Sequence, residues 1–261
     1  MLKDHEFESI YQTALRAVAQ TSELLRRHWR PRQTMAYDTK LDATPVTEVD
    51  RAVEQRIREI VRSRHPDHAI IGEEHGGAER TETPWLWVID PIDGTKSYIR
   101  GLPHFGTQLA VLYQGKVVIG VSNAPALGEM AVTRRGGGAF VNNRPLRVSK
   151  TKSLKQALVA HGELQLFERR RLLTGVRALC RTAWGIHGFQ DFWSYHLLAA
   201  GRLDAVVEAQ PKLWDIAAMS LIVQEAGGKV TDIQGRPIGP TTTSCVATNG
   251  RFHQRVLDLF Y

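Results

Sequence analysis

Apolar side chains recur at helical spacing over residues 6–29, where Ile10, Ala14, Leu15, Val18, Leu24 and Leu25 share a stripe that Pro31 ends. A second stripe (Val53, Ile57, Ile60, Val61) predicts a helix over 50–64, with Thr47 and Asp50 at capping-box spacing at its start. The period then changes. Residues 70–71 and 85–89 read as short buried strands, and 108–113 with 116–121 as a hairpin around Gln114-Gly115. Residues 130–133 and 139–141 continue the sheet across the turn signal Gly136-Gly137-Gly138.

Beyond about residue 150 the two periods alternate. The pattern predicts strands at 158–160, 182–184, 205–208 and 245–248. Helices are predicted at 164–179, 191–200, 214–226 (stopped by Gly227-Gly228) and from Arg251 onward. Alternation of this kind is layered α/β architecture. No Pro-, Gly- or Ser-rich linker divides the chain, so 1–261 is expected to fold as one unit, with halves meeting near residue 150.

Composition narrows the possibilities. A chain of 261 residues, 43% hydrophobic, can bury a substantial core. No apolar run is long enough to span a bilayer, and the charged start (Lys3, Asp4, Glu6) lacks an apolar signal core, so a cytoplasmic protein is expected. Cys180 and Cys245 fit no metal or redox spacing and read as reduced, buried thiols. The charge of +7 raises the question of nucleic acid. The densest cluster, Glu168-Arg169-Arg170-Arg171, reads as a solvated helical turn without stacking aromatics, which argues against a nucleic-acid partner. A positive surface also steers small anions.

Three acidic segments carry the candidate chemistry. The apolar run 85–89 delivers Asp90 to a strand end, where α/β ligand sites lie. Pro91 then fixes a turn that lets Asp90, Asp93 and the Ile92 carbonyl face one pocket, while the N–H groups of Gly94 and Thr95 can cradle a phosphate. Oxygen ligands without Cys or His suit Mg²⁺. Gly72-Glu73-Glu74-His75-Gly76 follows another short apolar run, and Asp215 opens a helix in Leu213-Trp214-Asp215. Each alone is also an ordinary solvated turn or helix-start acid.

Together, Gly72-Glu73-Glu74, Asp90-Pro91-Ile92-Asp93-Gly94-Thr95 and Trp214-Asp215-Ile216-Ala217-Ala218 resemble the three signatures of the inositol monophosphatase family. The resemblance runs from Asp38-Thr39-Lys40 and Thr47-Glu48-Val49-Asp50 to Glu225-Ala226-Gly227-Gly228. It implies the αβαβα sandwich of the fructose-bisphosphatase-like superfamily, a homodimer, lithium sensitivity and hydrolysis of a small phosphate monoester with two or three Mg²⁺ ions, Mn²⁺ being a possible substitute. One metal would be held by Glu73, Asp90 and the Ile92 carbonyl, and a second by Asp90, Asp93 and Asp215. Thr95, with Asp50 and Glu73, would orient the attacking water, and Glu74 would support the ligands from behind.

The substrate signal lies further on. Inositol-type members typically carry Gly-Ser/Thr-Ala-Ala where this chain has Gly188-Phe189-Gln190-Asp191-Phe192-Trp193-Ser194-Tyr195. That stretch, and Glu208-Ala209-Gln210-Pro211-Lys212-Leu213-Trp214-Asp215, are more similar to the histidinol-phosphate phosphatases of the same family. Asp191 and Glu208 are then the candidates to bind the amine of L-histidinol phosphate, in histidine biosynthesis. An inositol-phosphate or broad-specificity phosphatase is the alternative, and a non-catalytic module gripping nucleic acid or protein is the reading from outside enzymology.

Overall fold

The computed structural model describes residues 4–41, 44–77, 83–188 and 191–260. Lys3, and Phe189 and Gln190 of the specificity segment, lie outside them. Helix α1 (Asp4–His28) and helix α2 (Glu48–Arg64) pack side by side, linked through a small ribbon of β1 (Asp38–Thr39) and β2 (Pro45–Val46). The capping box is present: Thr47 Oγ1 accepts from the N–H groups of Val49 and Asp50, and Asp50 Oδ2 accepts from the Thr47 N–H at 2.8 Å.

Among the described residues, two larger sheets form. The first runs in chain order: β3 (Ala69–Gly72), β4 (Trp85–Asp93), β5 (Gly106–Tyr113), β6 (Lys116–Ala124), β7 (Glu129–Arg134), β8 (Ala139–Val141) and β9 (Arg144–Pro145). Its β3–β4 pair is parallel and its other pairs antiparallel, and the short helix α3 (Thr95–Ile99) follows β4. The second sheet contains β10 (Leu158–His161), β11 (Gly185–His187), β12 (Ala205–Ala209), β13 (Lys229–Thr231) and β14 (Ser244–Thr248), in the order β11-β10-β12-β14-β13. Helices α4 (Leu164–Arg169), α5 (Leu173–Thr182), α6 (Asp191–Ala199), α7 (Leu213–Glu225) and α8 (His253–Leu257) complete the chain.

Side-chain alternation assigns the layers. On β4 and β5, Trp87, Ile89, Leu109 and Val111 pack towards α1 and α2, while Val88, Ala110 and Leu112 pack towards α6 and α7. On β12 and β14, Val206, Cys245 and Ala247 face that same α6–α7 layer, whereas Ala205, Val207 and Val246 face α4, α5 and α8. The result is the expected αβαβα sandwich. Its central helix α7 buries every residue from Ile216 to Val223, as a helix pressed between two sheets must. No described helix is long and apolar enough to cross a membrane.

Some local expectations change. The helix predicted over 164–179 breaks into α4 and α5. Leu172 N–H bonds Phe167 O at 2.8 Å and Arg171 N–H bonds Glu168 O at 3.0 Å, a Schellman ending with Arg171 at φ 59°. Arginine, not glycine, holds that left-handed position, so the usual stop signal is missing. The cluster Arg169-Arg170-Arg171 is therefore a helix end, not a continuous helical turn. The strand predicted at 182–184 lies instead at Gly185–His187, because Thr182 still belongs to α5 and Leu158 pairs with Gly185. β13 escaped notice because three residues carry too little periodicity to register. Cys245 is buried as expected, but Cys180 is exposed on α5, where the chain turns it away from the core stripe of Val176 and Leu179.

Candidate active site

The last residues of β4 do more than turn. Asp90 pairs with Gln108, but Asp93 pairs with Gly106, so β4 carries one extra residue between them. In a regular strand, residues three apart point to opposite faces. The bulge cancels that alternation and turns both carboxylates towards the α6–α7 side, and Pro91 suits the position because a bulged residue need not donate to the ladder. The expected turn after Ile89 is thus a bulge within a strand that continues to Asp93. Gly94 follows at φ 84°, and a Cβ there would stand 2.5 Å from the His104 carbonyl oxygen, so only glycine fits. Thr95 opens α3; its hydroxyl donates to the Ile92 carbonyl oxygen at 2.8 Å and lies 3.5 Å from Asp50 Oδ1.

The other acids arrive from separate elements. Glu73 and Glu74 lie in the turn after β3, where Lys40 Nζ donates to Glu73 Oε1 at 2.8 Å and to Glu74 Oε1 at 2.6 Å. Asp215 lies in the first turn of α7, and its Oδ2 accepts from the Lys212 N–H at 2.7 Å. Asp93 Oδ2 accepts from the Phe192 N–H at 3.1 Å, which ties the start of α6 to the end of β4. Asp191 heads α6 at φ 57°, with a carboxylate oxygen 3.2 Å from where a Cβ on Gly94 would stand. Glu208 alternates on β12 with Val206, so it faces α6, where Tyr195 donates its hydroxyl to Glu208 Oε2 at 2.9 Å.

The electrostatics follow from placing so many acids together. Burial, then Glu73, Asp93, Asp215 and Asp50, push Asp90 well above the usual carboxylate range. Burial and Asp191, Asp215 and Glu208 do the same to Asp93. Burial raises Asp50 to about 6 against the lowering pull of its bonds from Thr47. It raises Asp191 to about 6, with Glu163 adding to the shift and Lys96 opposing it. Glu208 is pushed by burial to about 7 and Asp215 to about 8. Lys40 moves the other way: burial disfavours its charge, but the bonds to Glu73 and Glu74 outweigh that and raise its pKa.

Among the described residues, no three acids, histidines or cysteines already stand as a closed metal-ligating group. Like charges in a dry site spread apart, and hydrogen bonds from Lys40, Phe192 and Lys212 hold Glu73, Asp93 and Asp215 in separate places. The residues nevertheless fit a hard divalent cation. Asp90 is 2% exposed, and its buried Oδ1 has no hydrogen-bond partner. A buried charge beside four other carboxylates is costly unless a cation compensates it. The donor set of Glu73, Asp90, Asp93, Asp215 and the Ile92 carbonyl is all oxygen, as Mg²⁺ prefers.

Beside this cluster a cleft of about 180 Å³ is lined by Asp93, Glu163, Asp191, Tyr195, Glu208 and Asp215. It lies past the ends of β4 and β12, the place α/β folds leave for ligands. An ion pair from Lys96 to Glu163 joins α3 to the start of α4 at its rim. Sequence reasoning missed Lys40, Lys96, Glu163 and Tyr195 as site residues. Lys40 and Tyr195 stood within resembling segments; Lys96 and Glu163 carry no local signal, because only tertiary packing brings them there.

The sequence matches the family model described as the inositol monophosphatase family over residues 6–261. A histidinol-phosphatase of Mycobacterium tuberculosis is 41% identical over 84% of this chain and 86% of its own length. A protein of Pseudomonas aeruginosa named Nus factor SuhB is 40% identical over 85% of this chain and 84% of its own. Among solved structures, a Thermotoga maritima IMPase superposes with a TM-score of 0.84 at 32% identity, covering 94% of each chain. Sequence and fold agree over nearly the whole length: the chain belongs to the inositol monophosphatase family of phosphatases.

Proposed function

We propose that the chain hydrolyses L-histidinol phosphate with Mg²⁺, working as a homodimer. The observation that carries the metal requirement is the partnerless, buried Oδ1 of Asp90 amid Glu73, Asp93, Asp215 and Asp50. Glu73, Asp90 and the Ile92 carbonyl would hold one ion, and Asp90, Asp93 and Asp215 another. Bound Mg²⁺ supplies Lewis acidity, lowering the pKa of water and neutralising charge on the phosphoryl oxygens and the leaving oxygen.

The chain's own groups do the rest. The N–H groups at the start of α3, from Gly94 and Thr95, have no carbonyl partner within the helix and would donate to the phosphate oxygens. The Thr95 hydroxyl can donate to the Ile92 carbonyl or to Asp50 Oδ1; when its proton turns to Asp50, its oxygen lone pairs accept a proton from the attacking water. Asp50 Oδ1, 3.5 Å from that oxygen, is the acceptor at the end of this relay, and its raised pKa of about 6 places it near working pH. The water oxygen forms the new bond to phosphorus as the bond from phosphorus to the ester oxygen breaks, and the leaving oxygen takes a proton from solvent water.

Selection falls to the cleft beyond the phosphate. Asp191 and Glu208 offer carboxylates where a protonated amine would sit, and Tyr195 fixes Glu208 from the opposite side. Inositol would bring only neutral hydroxyls to these acids. A Nus factor relative is as similar as a histidinol-phosphatase, so relatives' names do not choose between catalysis and binding. The retained cluster of buried acids favours catalysis. The test is phosphate release from L-histidinol phosphate, inositol 1-phosphate and glycerol phosphate, each with Mg²⁺ and with chelator.

A further inference from the structure

We propose that Glu54, braced by Arg58, is the positioning residue of the turn that carries Glu73 and Glu74. The proposal rests on the metal-dependent reading above, and its observations lie outside the ligand set. Glu54 is on α2, its side chain fully buried, and reaches across to the turn after β3. Its Oε2 accepts from the Glu74 N–H at 2.7 Å, and its Oε1 accepts from the His75 N–H at 3.2 Å. Arg58, one helical turn further on, donates Nε to the same Oε1 at 2.7 Å and an Nη2 proton to the Gly76 carbonyl. The Glu54–Arg58 pair thus clamps both ends of residues 74–76 from outside the metal cluster.

Gly72 supports this account. A Cβ on Gly72 would lie 2.1 Å from Glu54 Oε1, so the glycine before Glu73 is what lets the carboxylate lie against the chain. Among the described residues, the turn's own backbone adds one closing bond, Gly72 N–H to Gly76 O at 3.1 Å. Without Glu54, the N–H groups of Glu74 and His75 lose their acceptor, and the Glu74 carboxylate that meets Lys40 beside Glu73 loses a fixed origin. Rigid support of this kind sets metal affinity more than chemistry, since the ligands themselves are intact.

The test uses Mn²⁺ as probe, with free ion read by its electron paramagnetic resonance signal. In Glu54→Gln the amide puts a donor against either Arg58 Nε and the His75 N–H or against the Glu74 N–H, so the clamp cannot be completed. Its Mn²⁺ affinity should fall about tenfold, the lower end of what supporting partners of ligands cost. Turnover should return to within about threefold of wild type at saturating Mn²⁺. A purely structural role would lower Tm and leave the Mn²⁺ affinity of the folded protein unchanged, and that result overturns the proposal. Arg58→Lys keeps the charge but cannot fork between Glu54 and Gly76, and should lose a smaller factor, about threefold. If Glu54→Gln does not fold, wild-type affinity in Arg58→Lys overturns the proposal instead. Affinity is read without substrate: a chain that binds Mn²⁺ but releases no phosphate overturns the phosphatase reading alone, and one that binds none overturns both.

Discussion

The Asp50 carboxylate serves two parts of the molecule at once: Oδ2 takes the Thr47 N–H at 2.8 Å to cap α2, while Oδ1 stands 3.5 Å from the Thr95 hydroxyl across the site. The helix-capping and catalytic readings of this residue therefore describe its two oxygens. Asp50→Asn keeps a side-chain oxygen for only one of these tasks. We predict that kcat falls by ~10²-fold or more, as for loss of a general base. Stability should fall by only about 0.5–2 kcal/mol, the worth of a cap. Kinetics beside a thermal melt of the same preparation check this, and a kcat within about twofold of wild type would remove Asp50 from the proton relay.

Asp90 should separate function from stability in the opposite direction. Its charge is buried, raised in pKa by burial and four neighbouring acids, and one of its oxygens has no partner. Asp90→Asn removes that charge. In chelator the variant should melt higher than wild type by roughly 2–6 °C, on a scale of about 2–4 °C per kcal/mol for a chain of this size. With Mg²⁺ its turnover should be lower by ~10³-fold or more. A variant that melts lower in chelator, or keeps its turnover, contradicts the role given to this carboxylate.

The site also sets a pH dependence. Asp50, Glu208 and Asp215 titrate at about 6, 7 and 8 in the folded chain, against about 4 when unfolded. Between those values the folded chain holds the extra protons, so stability from these groups is full below about pH 4 and is lost as pH rises through 6 to 8. Metal-free protein should therefore melt lower at about pH 8 than at about pH 5.5. Excess Mg²⁺ should narrow or reverse that difference, because metal binds the deprotonated acids. A Tm that rises with pH in chelator would contradict it.

Much of this architecture was legible along the chain. Periodicity located α1, α2 and the Gln114-Gly115 hairpin, and the adjacent acids in three segments marked the candidate ligands. What escaped has a common cause. The break at Arg171 uses a left-handed arginine where a glycine would have signalled it, and the bulge between Asp90 and Asp93 shows only in the partner strand's register. Glu54 carries no signal along the chain, and it is buried because Arg58 and the turn after β3 enclose it. Tyr195 stood in the specificity segment with no role of its own, and it is a buried side chain whose hydroxyl reaches Glu208 across to β12. Residues whose role depends on a partner far along the chain leave no local mark.

Substrate choice is where the account commits most. Charge-assisted hydrogen bonds are worth about 1.5–3 kcal/mol, so Asp191 and Glu208 should each favour an amine-bearing monoester by roughly tenfold to a hundredfold. Asp191→Asn and Glu208→Gln should lower kcat/KM for L-histidinol phosphate by that factor and leave glycerol phosphate much less affected. The most direct measurement is the wild-type ratio of kcat/KM for L-histidinol phosphate to that for inositol 1-phosphate at saturating Mg²⁺. The account predicts a ratio of about tenfold or more, abolished by chelator together with all activity. A ratio below one, or phosphate release that survives the chelator, would contradict it.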